Sequence, residues 1–347
     1  MHRGSRLDPL GNPGMSDLRA AGAAIEKDPE KPVLLVASAG GHLEELLRIR
    51  RRLTGPAGSV EWVTPTSAQA LSLLAGEVVH TVPYVGPRDL RVVSGQFFKA
   101  LALLGSRRYS AVLSTGAAIA VPYLAAARLL NIPTHYIESA ARSLAPSLTG
   151  KIIEFLPGVQ LYTQYETWTK SRWKFQGSVF DGFEALSKPR TSTCRNVVVT
   201  LGTMQNYGFR RAVEAVLRVL DELPEYPELI LWQTGCTDLA GLDVPGRVTV
   251  PSAELSEAMA GADVVIAHAG VGSALSALAM GKCPVLLPRS AACAEHVDDH
   301  QAMVAQHLAT RGLAIVRDPS ELVVEDLYRA MENVAVEARH GAAFQLG

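Results

Sequence analysis

Between His268 and Pro284 the chain reads His-Ala-Gly-Val-Gly-Ser-Ala-Leu-Ser-Ala-Leu-Ala-Met-Gly-Lys-Cys-Pro. The aliphatic run Val264-Val-Ile-Ala267 before it predicts a strand, and the Ala/Leu-rich stretch after it predicts a helix. Gly270 and Gly272 therefore sit where a helix begins. Free N–H groups point outward there, glycine lets a phosphate approach with no Cβ in the way, and Ser273 can add a hydroxyl. One helix terminus favours an anion by only ~0.3–1 kcal/mol. Gripping a diphosphate takes converging donors, and Gly202-Thr203 and Gln233-Thr234-Gly235 follow similar aliphatic runs. A Gly-x-Gly turn by itself is equally a tight packing turn. Two nucleotide motifs are excluded: Leu275 stands where the dinucleotide fingerprint needs its third glycine, and Gly281-Lys282 lacks the glycine five residues earlier that a P-loop needs.

A second centre is Ser38-Ala-Gly-Gly41-His42, again after an aliphatic run, Val33 to Ala37. An imidazole of ordinary pKa, ~6.5, suits removing a proton from a hydroxyl. The backbone of Gly40 and Gly41 could hold an anionic group beside it; the plainer reading is a histidine that packs at a helix start. Ser114-Thr115-Gly116 repeats the strand-to-turn pattern, and Glu138 and Arg142 either line a site or pair with each other. Glu295-His296-Val-Asp-Asp299-His300-Gln301 is dense in metal-capable side chains, and His296 and His300 could share a helix face, so a metal site is one reading of it. Asp-x-Asp occurs nowhere, which weighs against metal-chelated diphosphate chemistry. Arg289, after Pro284-Val-Leu-Leu287, is placed to reach phosphates or an acidic sugar.

These residues need a frame, and the sequence supplies a repetitive one: short aliphatic runs, small-residue turns and amphipathic stretches alternate from Pro32 onward. That order predicts α/β architecture with parallel sheets covered on both faces. It restarts at Asn196, so the expected plan is a mobile tail over 1–30, one domain over 31–176, a linker over 177–194 and a second domain over 195–347 ending in a helix. Ligands bind beyond the carboxyl ends of such strands, which makes the cleft between the domains the expected site.

Composition narrows the partners. Among 347 residues 48% are apolar and 19% charged, with 33 Lys/Arg against 34 Asp/Glu, so no nucleic-acid partner is implied. The charge is uneven, however. Residues 31–190 carry 18 Lys/Arg and 10 Asp/Glu, a balance of +8; residues 191–347 carry 11 and 19, a balance of −8. A basic half suits an anionic ligand or membrane surface. Leu90 to Arg108, with Phe97, Phe98 and Lys99, could lie on a membrane or simply face a core; Trp168 and Trp173 carry the same two readings. The four cysteines show no metal spacing, no apolar run reaches the ~18 residues of a membrane span, and no secretory signal is evident. The expectation is a cytoplasmic protein, with peripheral contact to the inner face of the cell membrane allowed by the basic half.

His268-Ala-Gly-x-Gly-Ser273, Gly281-Lys282-x-Pro284 and Asp299-His300-Gln301 with Ala305 together resemble the donor domain of the peptidoglycan N-acetylglucosaminyltransferase family. They are similar also to the catalytic subunit of the transferase that adds the second N-acetylglucosamine to dolichol-diphosphate sugars. Ser38-Ala-Gly-Gly-His42-x-x-Glu45, Ser114-Thr-Gly116 and Ile137-Glu-Ser-x-Ala-Arg142 with Ser147-Leu-Thr-Gly150 resemble its membrane-recruiting partner subunit. The chain looks like the two fused, as in bacterial exopolysaccharide transferases, over Val33 to Val316. The resemblance implies a GT-B fold, two Rossmann-like domains facing a cleft, and inverting, metal-independent transfer from a UDP-sugar as co-substrate. The acceptor it implies is a lipid-linked or other anionic glycan, a natural product being the nearest variant. It makes His42 the base and Gly40, Gly41, Thr115, Gly116, Glu138 and Arg142 the acceptor side. Gly202, Thr203, Gln233, Gly235, His268, Gly270, Gly272, Ser273, Ser276, Arg289, Glu295, His296, Asp299 and Gln301 become the donor side. The family pattern places a ribose-gripping carboxylate where this chain has Ser276, whose hydroxyl bonds less strongly. Two rivals remain: a nonhydrolysing UDP-sugar epimerase of related architecture, and a silent sugar-nucleotide-binding subunit.

Overall fold

A computed structural model describes residues 31–53, 59–84, 90–106, 109–170, 172–189, 193–203, 207–296, 299–338, 344 and 346. The expected tail over 1–30 and the cations Arg107 and Arg108 lie outside the described residues.

The first lobe runs β1 (Val33–Ala37), α1 (Gly41–Arg52), β2 (Val60–Pro65), α2 (Ala68–Leu73), β3 (Val78–Val82), α3 (Leu90–Ser106), β4 (Ala111–Gly116), α4 (Ala120–Leu129), β5 (Thr134–Ile137), α5 (Leu148–Glu154), β6 (Gln160–Thr163) and β7 (Trp173–Phe175). Its seven strands are all parallel, in the order β3-β2-β1-β4-β5-β6-β7. After β8 (Phe183–Ser187) the second lobe runs β9 (Asn196–Thr200), α6 (Arg210–Asp221), β10 (Leu229–Gln233), α7 (Ser252–Gly261), β11 (Val264–His268), α8 (Val271–Ala279), β12 (Val285–Leu287), α9 (His300–Thr310), β13 (Ile315–Val316) and α10 (Val324–Met331), and β14 (Asn333–Glu337) follows. Its parallel sheet has the order β10-β9-β11-β12-β13.

The strands lack apolar/polar alternation because helices cover both faces: all five residues of β1 are buried. Helices bury one stripe each. In α6 this is Ala212, Val213, Val216, Val219 and Leu220, and Pro224 lies just past its end. A fully buried Val or Leu contributes about 1.5–3 kcal/mol, so Val216→Asp, which also buries an unpaired charge, would break this face.

Strand order places the site. In the first sheet the winding direction reverses between β1 and β4, and in the second between β9 and β11. At such points neighbouring crossovers leave in opposite directions and open a crevice at the carboxyl ends. The turns after β1, β4, β9 and β11 are Ser38–Gly41, Thr115–Gly116, Leu201–Thr203 and His268–Gly270, the glycine-bearing segments singled out above.

Three features join the lobes. Leu43, Leu46 and Ile49 of α1 share one apolar cluster with Ala274, Leu275 and Leu278 of α8. Much of the stretch expected as a linker over 177–194 forms regular elements: a 3-10 turn over Val179–Gly182 leads into β8, which pairs antiparallel with β14. The expected terminal helix, α10, is followed by that strand rather than ending the chain. Beyond it Phe344 is fully buried against Tyr162 of the first lobe, and its N–H donates to the Arg52 carbonyl at 3.0 Å. Trp168 and Trp173 are buried with ring centroids 5.2 Å apart, which overturns a membrane-interface role for them. Among the described residues no helix is long and apolar enough to cross a membrane.

Candidate active site between the lobes

The turn from β1 into α1 is held by side chains from elsewhere in the sheet. Gly40 takes φ 90°, and its N–H donates to Oε1 of Gln69, on α2, at 2.6 Å. His42 opens the first turn of α1, and its Nδ1 lies 2.9 Å from the carbonyl oxygen of Thr115. A carbonyl only accepts, so Nδ1 carries the proton and Nε2 keeps its lone pair. Thr115 Oγ1 returns a bond to the His42 carbonyl at 2.8 Å. Nε2 has no partner among the described residues. Burial lowers the imidazole pKa, the Thr115 bond opposes this, and the Arg142 charge lowers it further. His42 is thus a neutral, oriented imidazole that feels the charge of Arg142.

Across the seam lies the second turn. A Cβ on Gly272 would stand 3.4 Å from the Gly41 Cα, and one on Gly41 3.6 Å from the Gly272 backbone nitrogen. The two lobes therefore touch backbone to backbone at their glycine turns. Neither α1 nor α8 has a side-chain cap at its first residue. Two helix starts with free N–H groups converge where the lobes meet, an arrangement that favours anions. Inside the second lobe the His268 ring lies over Gly270 and fills the space a side chain there would need. Nδ1 of that ring is 3.5 Å from Ser273 Oγ and 3.4 Å from the Thr200 carbonyl oxygen. Burial, with Arg289 nearby, pushes the His268 pKa down to about 4, so it is neutral too. Thr203 is exposed, and Ser276 is half-exposed on α8.

Several expected ligand residues are engaged by the protein's own groups. Arg289 is buried; its Nη1 donates to the carbonyls of Tyr207 at 2.8 Å, Gly208 at 3.1 Å and Glu295 at 3.0 Å, and its Nη2 to Leu201 at 2.6 Å. It does not reach for phosphates; it ties the turn after β9 to the loop after β12. Glu295 pairs with Arg211 at 3.1 Å and accepts the Ser290 N–H at 3.0 Å. Gln233 bonds Thr200 Oγ1 and the Val250 N–H, Gln301 accepts the Arg289 N–H at 3.2 Å, and Asp299 accepts the Ala291 N–H at 2.8 Å. A Cβ on Gly235 would come within 2.6 Å of the Gly202 carbonyl oxygen, so these turns stack. His296 packs its ring 6.3 Å from that of Tyr207. Among the described residues no three His, Cys, Asp or Glu converge as metal ligands would.

On the acceptor side Glu138 is buried. Its Oε1 accepts the Ser139 N–H at 3.1 Å and Tyr136 O–H at 3.2 Å, and its Oε2 accepts Ser147 N–H at 2.8 Å and Ser147 O–H at 3.0 Å. Both its oxygens are engaged in organising the loop that carries Arg142. Thr115, fully buried, likewise holds His42. The sequence reading missed Gln69: its only signal is a polar residue on a short helix, and nothing local ties it to Gly40.

Residues 196–345 match the profile of the glycosyltransferase family 28 C-terminal domain. A UDP-N-acetylglucosamine--N-acetylmuramyl-(pentapeptide) pyrophosphoryl-undecaprenol N-acetylglucosamine transferase of Chlorobium luteolum is 28% identical over 317 residues, covering 82% of this chain and 84% of that protein. The crystal structure of MurG from Acinetobacter baumannii superposes with a TM-score of 0.54 at 21% identity, over 86% of this chain and 89% of that one. UDP-GlcNAc 2-epimerase from Methanocaldococcus jannaschii superposes with a TM-score of 0.51 at 10% identity, over 87% and 97%. Fold alone thus fits both transferase and epimerase; the profile matched over residues 196–345 is that of a glycosyltransferase domain.

Proposed function

We propose, from the premise that residues 196–345 are a glycosyltransferase family 28 C-terminal domain on a GT-B scaffold, that the chain moves a sugar, N-acetylglucosamine or another hexose, from a UDP-sugar to a lipid-diphosphate-linked acceptor with inversion. The acceptor class follows from the Chlorobium luteolum relative, whose name specifies a pyrophosphoryl-undecaprenol substrate. The supporting observation is the meeting of the two glycine turns at Gly41 and Gly272, with His42 fixed as the Nδ1–H tautomer beside the seam.

In this reading the acceptor hydroxyl oxygen forms the bond to the anomeric carbon from the face opposite the leaving group. Its proton passes to His42 Nε2. The bond between the anomeric carbon and the β-phosphate oxygen breaks, and UDP departs with both electrons of that bond. Charge growing on the diphosphate is met by the N–H groups opening α8, with Ser273 and Thr203 close by. Arg142 meets the acceptor's own diphosphate. Donor phosphates are neutralised by helix starts and hydroxyls, so neither a metal nor an organic cofactor is required; the missing Asp-x-Asp supports this.

The lipid-linked acceptor also calls for a membrane contact, and the acceptor lobe carries a surface suited to it. Leu148, Ile152 and Phe155 recur at helical spacing on and just past α5 and are exposed, Phe155 by 87%. Leu144 and Phe98 are exposed as well, and Lys99 and Lys151 accompany them. An apolar strip with cations beside it fits an anionic bilayer surface, here the inner face of the cell membrane.

The test is UDP release from UDP-N-acetylglucosamine with a polyprenyl-diphosphate-linked sugar, in the presence of vesicles containing anionic phospholipid. Release that depends on acceptor is expected. Saturable UDP binding with no release for any lipid-linked or natural-product acceptor would leave only the silent binding subunit.

A further inference from the structure

Glu45 lies one turn along α1 from His42 and is 1% exposed. Among the described residues no cation pairs with it. Its Oε1 accepts Ser139 O–H at 2.7 Å, and its Oε2 accepts the Ala140 N–H at 3.0 Å and Gln164 Nε2–H at 2.9 Å. The loop it grips leads straight to Arg142. Ser139 Oγ, having given its proton to Glu45, accepts the Ala141 N–H at 3.1 Å, and the Arg142 N–H donates to the Ser139 carbonyl at 2.9 Å. Two further bonds hold the same segment: Tyr165 O–H to the Ala140 carbonyl at 2.5 Å, and Trp168 Nε1–H to the Arg142 carbonyl at 3.1 Å. Gln164 also donates to the Glu138 carbonyl at 3.0 Å and accepts the N–H of Val179 at 2.7 Å.

A carboxylate taken out of water is costly, and a leucine in its place would add apolar packing at no such cost. What a leucine could not do is collect donors from a neighbouring loop and lock them to the helix that carries His42. We propose that Glu45 is a positioning residue: its carboxylate fixes the 139–142 loop to α1, and so sets the Arg142 guanidinium in register with His42 for the acceptor's anionic group. This deepens the acceptor reading of the same site and rests on it. Glu138 does the complementary work from the strand side, holding Ser139 and Ser147, so the loop is clamped at both ends by carboxylates.

Glu45→Gln keeps the side chain's shape and one acceptor oxygen but turns an N–H₂ toward groups that themselves donate. The expected result is an acceptor KM raised roughly tenfold, the loss of about one charge-assisted bond's worth of register, with UDP affinity unchanged. Arg142→Ala should raise the acceptor KM similarly, and the double variant should lose little more than either single one. A second readout needs no turnover. Burial lowers the His42 pKa and the Arg142 charge lowers it further, so NMR titration of His42 should show that pKa rising both in Glu45→Gln and in Arg142→Ala. A His42 titration unmoved in Glu45→Gln overturns the proposal. So does a lowered melting temperature with acceptor KM intact, or additive losses in the double variant. Absence of transfer in the unaltered protein would instead count against the acceptor reading, and the His42 titration would still decide the role of Glu45.

Discussion

The two lobes build their halves of the site with opposite charges used in the same way. In the acceptor lobe, buried carboxylates gather N–H and O–H donors: Glu45 takes three, and Glu138 takes four. In the donor lobe, a buried guanidinium gathers carbonyls: Arg289 takes four, from both sides of the donor crevice. The difference follows from which backbone groups the loops leave over. Loops that fold over a helix start expose N–H groups inward, whereas the turns after β9 and β12 present C=O groups. Charged residues beside a cleft are therefore not ligands by default. Here Glu45, Glu138 and Arg289 hold loops, and the proposed function leaves the uncapped helix starts, glycines, hydroxyls, His42 and Arg142 to face substrate.

The contrast can be broken most directly at the one acceptor-lobe side chain assigned to chemistry. His42→Ala should lower acceptor-dependent UDP release by 10²–10⁴-fold, roughly the worth of a general base, while calorimetry shows UDP binding nearly intact. Equal loss of both would make His42 another framework residue. On the donor side Arg289→Met should cost about 3–5 kcal/mol of stability in denaturant unfolding, the usual penalty for stripping a buried charged network of one partner. If Arg289 held phosphates instead, UDP affinity would fall with stability unchanged.

Acidity acts with opposite sign on Glu45 and His268. Burial pushes the Glu45 carboxyl up to about 7, so between that value and the unfolded 4.5 the folded state binds the extra proton and gains stability as pH falls. His268, pushed down to about 4, refuses a proton that the unfolded chain accepts below 6.5, and so loses stability over that window. Glu45→Gln removes the first contribution and leaves the second. Its stability relative to the unaltered protein should fall as pH drops from about 7 to 4.5, as followed by urea unfolding at several pH values. The rate has its own signature: because the His42 pKa is lowered, the acid limb of transfer should lie below the 6.5 of a free imidazole. The smallest effect is expected at Ser276. Ser276→Glu supplies a charged acceptor near the ribose and should tighten UDP binding by a few-fold, the ~1 kcal/mol scale by which charged hydrogen bonds exceed neutral ones; unchanged affinity would place the ribose away from that face of α8.

Much of this was legible in one dimension. β-branched and aliphatic runs such as Val33 to Ala37 and Val264 to Ala267 announce covered strands because no polar residue interrupts them. The glycines after those runs announce turns into helices, since few other residues leave a helix start bare. Alternation of the two, restarting once, gives two parallel sheets. The site turns were found for the same reason: they are local, a strand end and a helix start within a few residues.

What was not legible depends on partners far apart in the chain. That Gly40 is held by Gln69, that Glu45 reaches Ser139 and Gln164, and that Arg289 spends its donors on four carbonyls all follow from strand order. No local pattern encodes which loop will lie beside a given side chain. The same holds for the β8–β14 ribbon and for Phe344, whose burial in the first lobe turns an expected spacer and chain end into fastenings. The amino-acid sequence determined the elements and the chemistry available at their ends, because those depend on backbone conformation over a few residues. Only the tertiary structure decided which charges became framework and which groups were left facing the cleft, because a buried ionisable group takes its role from the neighbours that satisfy it.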